Sequence, residues 1–248
     1  MFAALIGAVS LISLNEYYRI VFNLQDAIPS QKFMEDNIKR LGYLSAAVIV
    51  LGAHLDSPAI IMGMLVINFL VAASMAVFAY DKESTILNVL ASQVTGVIYV
   101  PLLLATLVHL RHVDKGVTWI FFLLLIVAAG DTGAYFAGTY LGRRKLRPQV
   151  SPGKTVEGLI GALSTIVIVG SYFKYHLLPE LPWIPGVMLF LVLGITGVVG
   201  DLFESALKRA GNIKDSGTIL PGHGGLLDRI DGLIFAAPVL YYFHKWFV

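Results

Sequence analysis

The densest chemistry in this 248-residue chain lies between Gly200 and Gly232, where the sequence reads GDLFESALKRAGNIKDSGTILPGHGGLLDRIDG. It sets Asp201, Glu204, Ser205, Lys208, Arg209, Lys214, Asp215, His223, Asp228, Arg229 and Asp231 between two apolar runs. On a helix, Asp201, Ser205 and Lys208 fall at i, i+4 and i+7 and share a face, and Asp228 and Asp231, at i and i+3, share another. Gly224 and Gly225 precede the last apolar run and let a backbone come close to a ligand. Carboxylates on two helices suit Mg²⁺, which keeps several waters and bridges phosphate oxygens. Lysine and arginine neutralise the remaining phosphate charge, and a glycine turn offers backbone N–H groups. Solvated loop charges would explain Lys208 or Arg209 alone. They do not explain Asp201 and Asp228, carboxylates at the edges of hydrophobic spans, where charge is costly.

A second polar stretch is Ser151-Pro152-Gly-Lys154-Thr155-Val-Glu157-Gly158. Its Gly153-Lys154-Thr155 resembles the end of a phosphate-binding P-loop, but position 148 is Pro148 rather than glycine, and a membrane helix rather than a strand is expected before it. The P-loop reading fails. Asp131 interrupts an apolar run among Gly130, Gly133 and Gly138, and a carboxylate near mid-span is a functional candidate. Glu16, in Asn15-Glu16-Tyr17-Tyr18, is expected to snorkel to the interface beside its aromatic neighbours. Trp119, Trp183 and Trp246 fall where an outer aromatic belt is expected, and His54, His109, His112, His176 and His244 receive no role.

The elements that must position these groups are membrane helices. The chain is 57% hydrophobic and 14% charged, with a mean hydropathy of +0.77, against about 25% charged residues in soluble domains. Cysteine is absent, which excludes disulfides, thiolate metal sites and a cysteine nucleophile. Runs of about 20 apolar residues cross a bilayer as helices, because lipid cannot satisfy an open backbone. Eight spans are expected: Phe2–Phe22, Leu41–Leu55, Ala59–Tyr80, Ile86–Leu110, Val117–Leu141, Val156–Tyr175, Gly186–Arg209 and Leu226–Phe247. The first lacks a basic n-region and a cleavage site, and reads as a retained span rather than a signal peptide. Arg19, Lys32, Lys39, Arg40, Lys82, Arg143, Arg144, Lys145, Arg147, Lys154, Lys208, Arg209, Lys214 and Arg229 fall on one side, fourteen of the eighteen Lys and Arg. The positive-inside rule makes that side cytoplasmic and puts both termini outside. The fold class expected is all-α, a polytopic bundle with a polar cavity at the cytoplasmic level. It forms a single membrane-embedded domain over 1–248, with an N-terminal half at 1–115 and a catalytic half at 116–248.

Ser205-Ala-Leu-Lys208-Arg209, Lys214-Asp215-Ser-Gly217 and Leu220-Pro221-Gly-His223-Gly224-Gly225-Leu-Leu-Asp228-Arg229-Ile-Asp231, at these spacings over 205–231, resemble the signature of the phosphatidate cytidylyltransferases (CDP-diacylglycerol synthases). The likeness extends through Gly200-Asp201-Leu-Phe-Glu204, the Ser151–Gly158 stretch and Asp131; the rest of the chain shares only hydrophobic spans. The resemblance implies that a phosphate oxygen of phosphatidic acid attacks the α-phosphorus of CTP in line, releasing pyrophosphate. It implies Asp201, Asp228 and Asp231 at Mg²⁺, with room for a second, monovalent ion. Lys208, Arg209, Lys214 and Arg229 would clamp phosphates, with Asp215, His223, Ser205, Gly224 and Gly225 shaping the pocket. Asp131, Ser151, Lys154, Thr155 and Glu157 would line it near the nucleotide or lipid phosphate. The implied setting is a bacterial inner membrane, with the active site facing the cytoplasm, CTP and phosphatidic acid as partners, no nucleic acid, and a homodimer as the assembly to consider. Family members carry further apolar sequence before the Glu-Tyr span, whereas this chain begins inside it, as a short or truncated member would.

Three rivals fare worse. A CDP-alcohol phosphotransferase needs an Asp-Gly-x-x-Ala-Arg run, but Asp231-Gly232 is followed by Leu233-Ile234-Phe235-Ala236. A polyprenyl-phosphate sugar transferase needs an adjacent aspartate pair of a kind not found. A secondary transporter using Asp131 and Glu16 predicts inverted repeats, and the chain shows no such symmetry.

Overall fold

The computed structural model describes residues 1–22, 29–78, 86–217, 219 and 224–248, with backbone alone for 29–34 and 86. Tyr80, Lys82 and His223 lie outside the described residues, as does the side chain of Lys32. The chain divides into two compact units, Met1–His109 with Ala210–Asp228, and Leu110–Arg209 with Arg229–Val248. The 205–231 signature is therefore divided between them.

The first unit contains α1 (Phe2–Phe22), α2 (Pro29–His54), α3 (Pro58–Phe78) and α4 (Ile86–Val97), which continues through a π turn at Ile98–Leu102 into α5 (Leu103–His112). Pro101 sits inside that turn. Proline has no N–H and crowds the preceding carbonyl, and the wider π geometry absorbs both defects without breaking the rod. Between α2 and α3, Asp56 takes a left-handed φ of 49° and Pro58 opens the next helix, a position where its missing N–H costs nothing. α1 is held by polar contacts that apolar lipid cannot supply. The Tyr17 hydroxyl donates to the Ser92 carbonyl at 2.9 Å and the Tyr18 hydroxyl to Gln93 Oε1 at 2.6 Å. The Tyr17 ring fits only because residue 96 is glycine, since a Cβ there would lie 2.6 Å from it. α2 and α3 are tied by Asn68 Nδ2 donating to Ser45 Oγ at 2.7 Å, a buried interhelical bond of the kind that joins helices in membranes.

The second unit contains α6 (Gly116–Leu141), a hairpin of β1 (Lys145–Arg147) and β2 (Ser151–Thr155), α7 (Val156–Leu177), α8 (Trp183–Ala210) and α9 (Leu227–Phe247), save that Ala210, Leu227 and Asp228 belong to the first. α6 and α7 meet along a seam of small residues: a Cβ on Gly161 would lie 2.8 Å from the Gly133 carbonyl, and one on Gly158 3.1 Å from that of Ala134. Such seams let backbones approach where no hydrophobic force between helices exists. Phe122 anchors the packing with ring contacts to Phe173 and Phe190 at 5.3 and 5.6 Å between centroids.

Among the described residues, six helices are long and apolar enough to cross a membrane: Phe2–Phe22, Pro58–Phe78, Leu87–His112, Gly116–Leu141, Val156–Leu177 and Trp183–Ala210. The expected spans Leu41–Leu55 and Leu226–Phe247 coincide with helical segments of α2 and α9. Large apolar side chains such as Phe69, Leu70, Val77 and Phe78 stand exposed on α3, as a lipid-facing helix requires. Three features depart from expectation. The β hairpin is a non-helical element in a fold expected to be all-α. It is closed by a turn with Pro148 at its second position and the Val150 N–H donating to the Arg147 carbonyl at 3.1 Å. Trp119 is not in a belt but is 1% exposed, edge-on to Phe122 and His244. Glu16 does not snorkel: it is 2% exposed.

Candidate functional site

Four charged side chains from four elements of the second unit line one cavity of about 210 Å³: Asp131 of α6, Lys154 of β2, Asp201 of α8 and Asp231 of α9. The rest of the lining is small or apolar, including Gly130, Ala162, Ile166, Leu193, Gly194 and Gly197. The cavity is thus amphipathic. Lys154 is delivered by the hairpin, whose second strand ends at Thr155, the N-cap of α7. The Thr155 Oγ1 accepts the Gly158 N–H at 3.0 Å, satisfying one of the open donors of the helix start. One residue before that cap, the Lys154 ammonium lies 2.5 Å from Asp201 Oδ2, an ion pair at close range without the angles of a good hydrogen bond. Ser205, one turn along α8, donates to Asp201 Oδ1 at 3.4 Å. Gly200 brings α8 against α9, because a Cβ there would lie 2.5 Å from the Asp231 carbonyl.

Three carboxylates face one ammonium in this cavity, and the excess negative charge favours a cation. Among the described residues no three His, Asp or Glu side chains form a ready-made metal cage. Mg²⁺ does not demand one, since it binds through one or two carboxylates and keeps its waters. The hard oxygen donors of Asp131, Asp201 and Asp231 therefore fit that ion.

The first unit holds a separate carboxylate cluster around the glycine-rich turn. Asp228 Oδ2 accepts the Ser216 N–H at 3.0 Å, the Ser216 hydroxyl at 2.9 Å and the Gly225 N–H at 2.7 Å. Glu16 reaches the same turn from α1, 210 residues away in sequence. Its Oε1 accepts the Leu226 N–H at 3.0 Å and its Oε2 the Leu227 N–H at 2.7 Å. Leu227 opens α9 and Leu226 immediately precedes it, at a helix start whose open donors and partial positive charge attract an anion. Gly224 holds a left-handed φ of 82°, and Gly225 is packed so that a Cβ would lie 2.7 Å from the Glu16 carboxyl carbon. Gly225 thus makes room for Glu16.

The remaining expected residues fall as follows. Lys208 Nζ lies 2.5 Å from the buried Glu204 carboxylate, one turn back on α8. Arg209 Nε donates to the Val150 carbonyl at 3.4 Å, across to the hairpin. Lys214, Asp215 and Arg229 are exposed. Ser151 pairs with Arg147 in the hairpin, and the Glu157 carboxylate accepts the Arg143 and Arg144 N–H groups at 3.0 and 3.1 Å. Asp201 takes its partners within the second unit and Asp228 within the first.

Sequence reasoning passed over Glu16 as a site residue. A signal for it existed: Ser10, Ser13 and Glu16 recur every third residue on α1, one polar face within an apolar helix, and all three are buried.

A family model described as the cytidylyltransferase family matches residues 1–247. The chain belongs to the cytidylyltransferase family. It is 42% identical over 146 residues to the phosphatidate cytidylyltransferase of Bacillus subtilis, covering 58% of this chain and 54% of that protein. It is 41% identical over 133 residues to the phosphatidate cytidylyltransferase of Haemophilus influenzae, covering 52% and 46%. It is also 47% identical over 135 residues to the uncharacterized protein YnbB of Escherichia coli, covering 54% and 45%. The chain thus spans about half the length of the curated relatives it matches.

Proposed function

We propose that the protein is a CTP:phosphatidate cytidylyltransferase, transferring CMP from CTP to phosphatidic acid to give CDP-diacylglycerol and pyrophosphate. The observation that carries this reading is the cavity of Asp131, Lys154, Asp201 and Asp231, charged in one part and lined elsewhere by Ala162, Ile166 and Leu193. A lipid phosphate needs both kinds of surface. Family membership and the names of the relatives support it.

The nucleophile, a phosphate oxygen, is already anionic, so the reaction needs no dedicated general base. It needs two polyanions held in line and a neutralised leaving group. Lys154 is the cation placed to meet phosphate oxygens, with Asp201 holding its ammonium at the cavity wall. Mg²⁺, carried by Asp201 and Asp231 and with Asp228 retained as an expected ligand, would supply charge neutralisation at the phosphates. Ser216, Gly224, Gly225 and Asp228 shape the glycine turn, in keeping with a nucleotide-binding role for it. Lys208, Arg209, Lys214, Asp215, His223 and Arg229 remain the further site residues assigned by the family signature.

The finer topology belongs to the same proposal: eight spans, the basic loops and the active site facing the cytoplasm, and a bacterial inner membrane. The deciding experiment incubates the purified protein with phosphatidic acid, Mg²⁺ and each nucleoside triphosphate in turn. A liponucleotide formed with CTP and dependent on Mg²⁺ is expected. Its absence with every nucleotide would defeat the assignment.

A further inference from the structure

The segment joining α6 to α7 runs Arg143-Arg144-Lys145-Leu146-Arg147-Pro148-Gln149-Val150-Ser151-Pro152-Gly153-Lys154-Thr155 and contains no acidic residue. A basic loop beside a membrane helix satisfies the positive-inside rule in any conformation. This one is folded, and the hydrogen bonds that fold it run through its backbone and leave Arg143, Arg144, Lys145 and Arg147 exposed. β1 pairs antiparallel with β2. The Arg143 and Arg144 amides are held by Glu157, and the Val156 N–H donates to the Arg144 carbonyl at 2.9 Å. Arg209 grips the hairpin through the Val150 carbonyl. On the hairpin side, each of these bonds uses a backbone group. Arg143, Arg144, Lys145 and Arg147 are exposed, while Leu146 between them is half-buried and lines the cavity. The alternation of a strand thus sends the cations outward and the leucine inward.

The position of this surface relative to the bilayer is marked independently. The end of α6 that feeds the hairpin carries Tyr135 and Tyr140, 66% and 77% exposed, together with exposed Phe136. Aromatic side chains of this kind sit at headgroup depth. An interfacial Tyr140 would set the four cations of this fixed frame at the level of lipid phosphates, beside a cavity bordered by the same hairpin through Leu146, Gly153 and Lys154.

We propose that the Arg143–Arg147 face of the hairpin is a docking surface for anionic phospholipid headgroups, enriching them around the mouth of the cavity. The anionic leaflet attracts such juxtamembrane cations, and guanidinium groups bind phosphate by paired N–H donors. For its kinetic consequence alone this surface rests on the cytidylyltransferase reading: enrichment of an anionic lipid substrate lowers the bulk mole fraction needed to fill the site.

The test compares the wild-type chain with the variant Arg143→Gln, Arg144→Gln, Lys145→Gln, Arg147→Gln, both reconstituted into phosphatidylcholine vesicles carrying a trace of spin-labelled phosphatidylglycerol or spin-labelled phosphatidylcholine. Because the pinning bonds use the hairpin backbone, the variant is expected to melt with the wild type. The wild type should hold phosphatidylglycerol in its motionally restricted lipid shell in preference to phosphatidylcholine by about threefold or more, a ratio that falls towards one in the variant and at high salt. Equal ratios in the two proteins overturn the surface. In the enzymatic arm the KM for phosphatidic acid, as mole fraction, should rise in the variant by a similar factor, with kcat and the KM for CTP unchanged. A raised KM for CTP with an unaltered lipid ratio would place these cations on the nucleotide and also overturn it. If neither protein makes liponucleotide, the cytidylyltransferase reading fails, and the spin-label ratio still decides the docking surface.

Discussion

Asp201 and Glu16 show two different uses of a carboxylate. Asp201 lines an open cavity beside Lys154, Asp131 and Asp231, an arrangement that keeps charge available to a ligand. Glu16 is buried and fully committed, with its two oxygens accepting the Leu226 and Leu227 amides at the start of α9 and its Oε2 also within 3.4 Å of the Ser216 hydroxyl. Replacing Lys154 by Met should leave melting close to that of the parent and lower kcat/KM by about 10²–10³-fold, as loss of one pre-positioned donor does. A rate near normal would remove Lys154 from the chemistry. Glu16→Ala should act the other way round, through structure. It leaves the Leu226 and Leu227 donors without their acceptor, at about 1–3 kcal/mol for each buried donor. The expected outcome is a lower melting temperature in detergent, with faster proteolysis of the 216–228 turn. Glu16→Gln, which keeps one acceptor oxygen, should fall between. Unchanged melting for Glu16→Ala would show that the α9 start does not depend on it.

At the scale of elements, the cavity exists because α6 and α7 approach along glycine and alanine. A Cβ at position 161 would meet the Ala137 methyl and, 2.8 Å away, the Gly133 carbonyl, and neither can swing aside as a long side chain can. Gly161→Val should therefore force the helices apart, costing about 1–3 kcal/mol as overpacking does, and should displace Asp131 relative to Lys154. Loss of activity together with a reduced melting temperature is expected. A fully active Gly161→Val would mean that the seam is not what sets the cavity. The hairpin marks where the sequence was harder to read. Its two strands of three and five residues offer too few positions for a period of two to register, and Pro148 and Pro152 look like punctuation of a plain loop. Helices of 21 to 28 residues, such as α3 and α8, are legible because their apolar run is as long as the bilayer is thick.

For the molecule as a whole, the placement of Lys and Arg fixes the expected orientation, and the absence of cysteine makes it simple to test. A single cysteine at Gln149, in the hairpin turn, should react with an impermeant maleimide only when the cytoplasmic face is open. One at Asp114, an exposed residue in the connection from α5 to α6, should react only from outside. Labelling of both from the same side would overturn the topology. The chain matches its family along nearly its whole length, and its two compact units each contain part of the 205–231 signature.

Composition and apolar run lengths alone determined that lipid is the solvent, that helices span it, and where most of them lie. The residue types between Gly200 and Gly232 alone pointed to phosphate chemistry, the reading on which the proposed function rests. Folding decided how each carboxylate is employed. Neither burial nor the partner of a side chain is a local property. Glu16 meets Leu226 and Leu227 only because α1 and the α9 start are brought together, and the hairpin delivers Lys154 to Asp201 only once α6, α7 and α8 have packed.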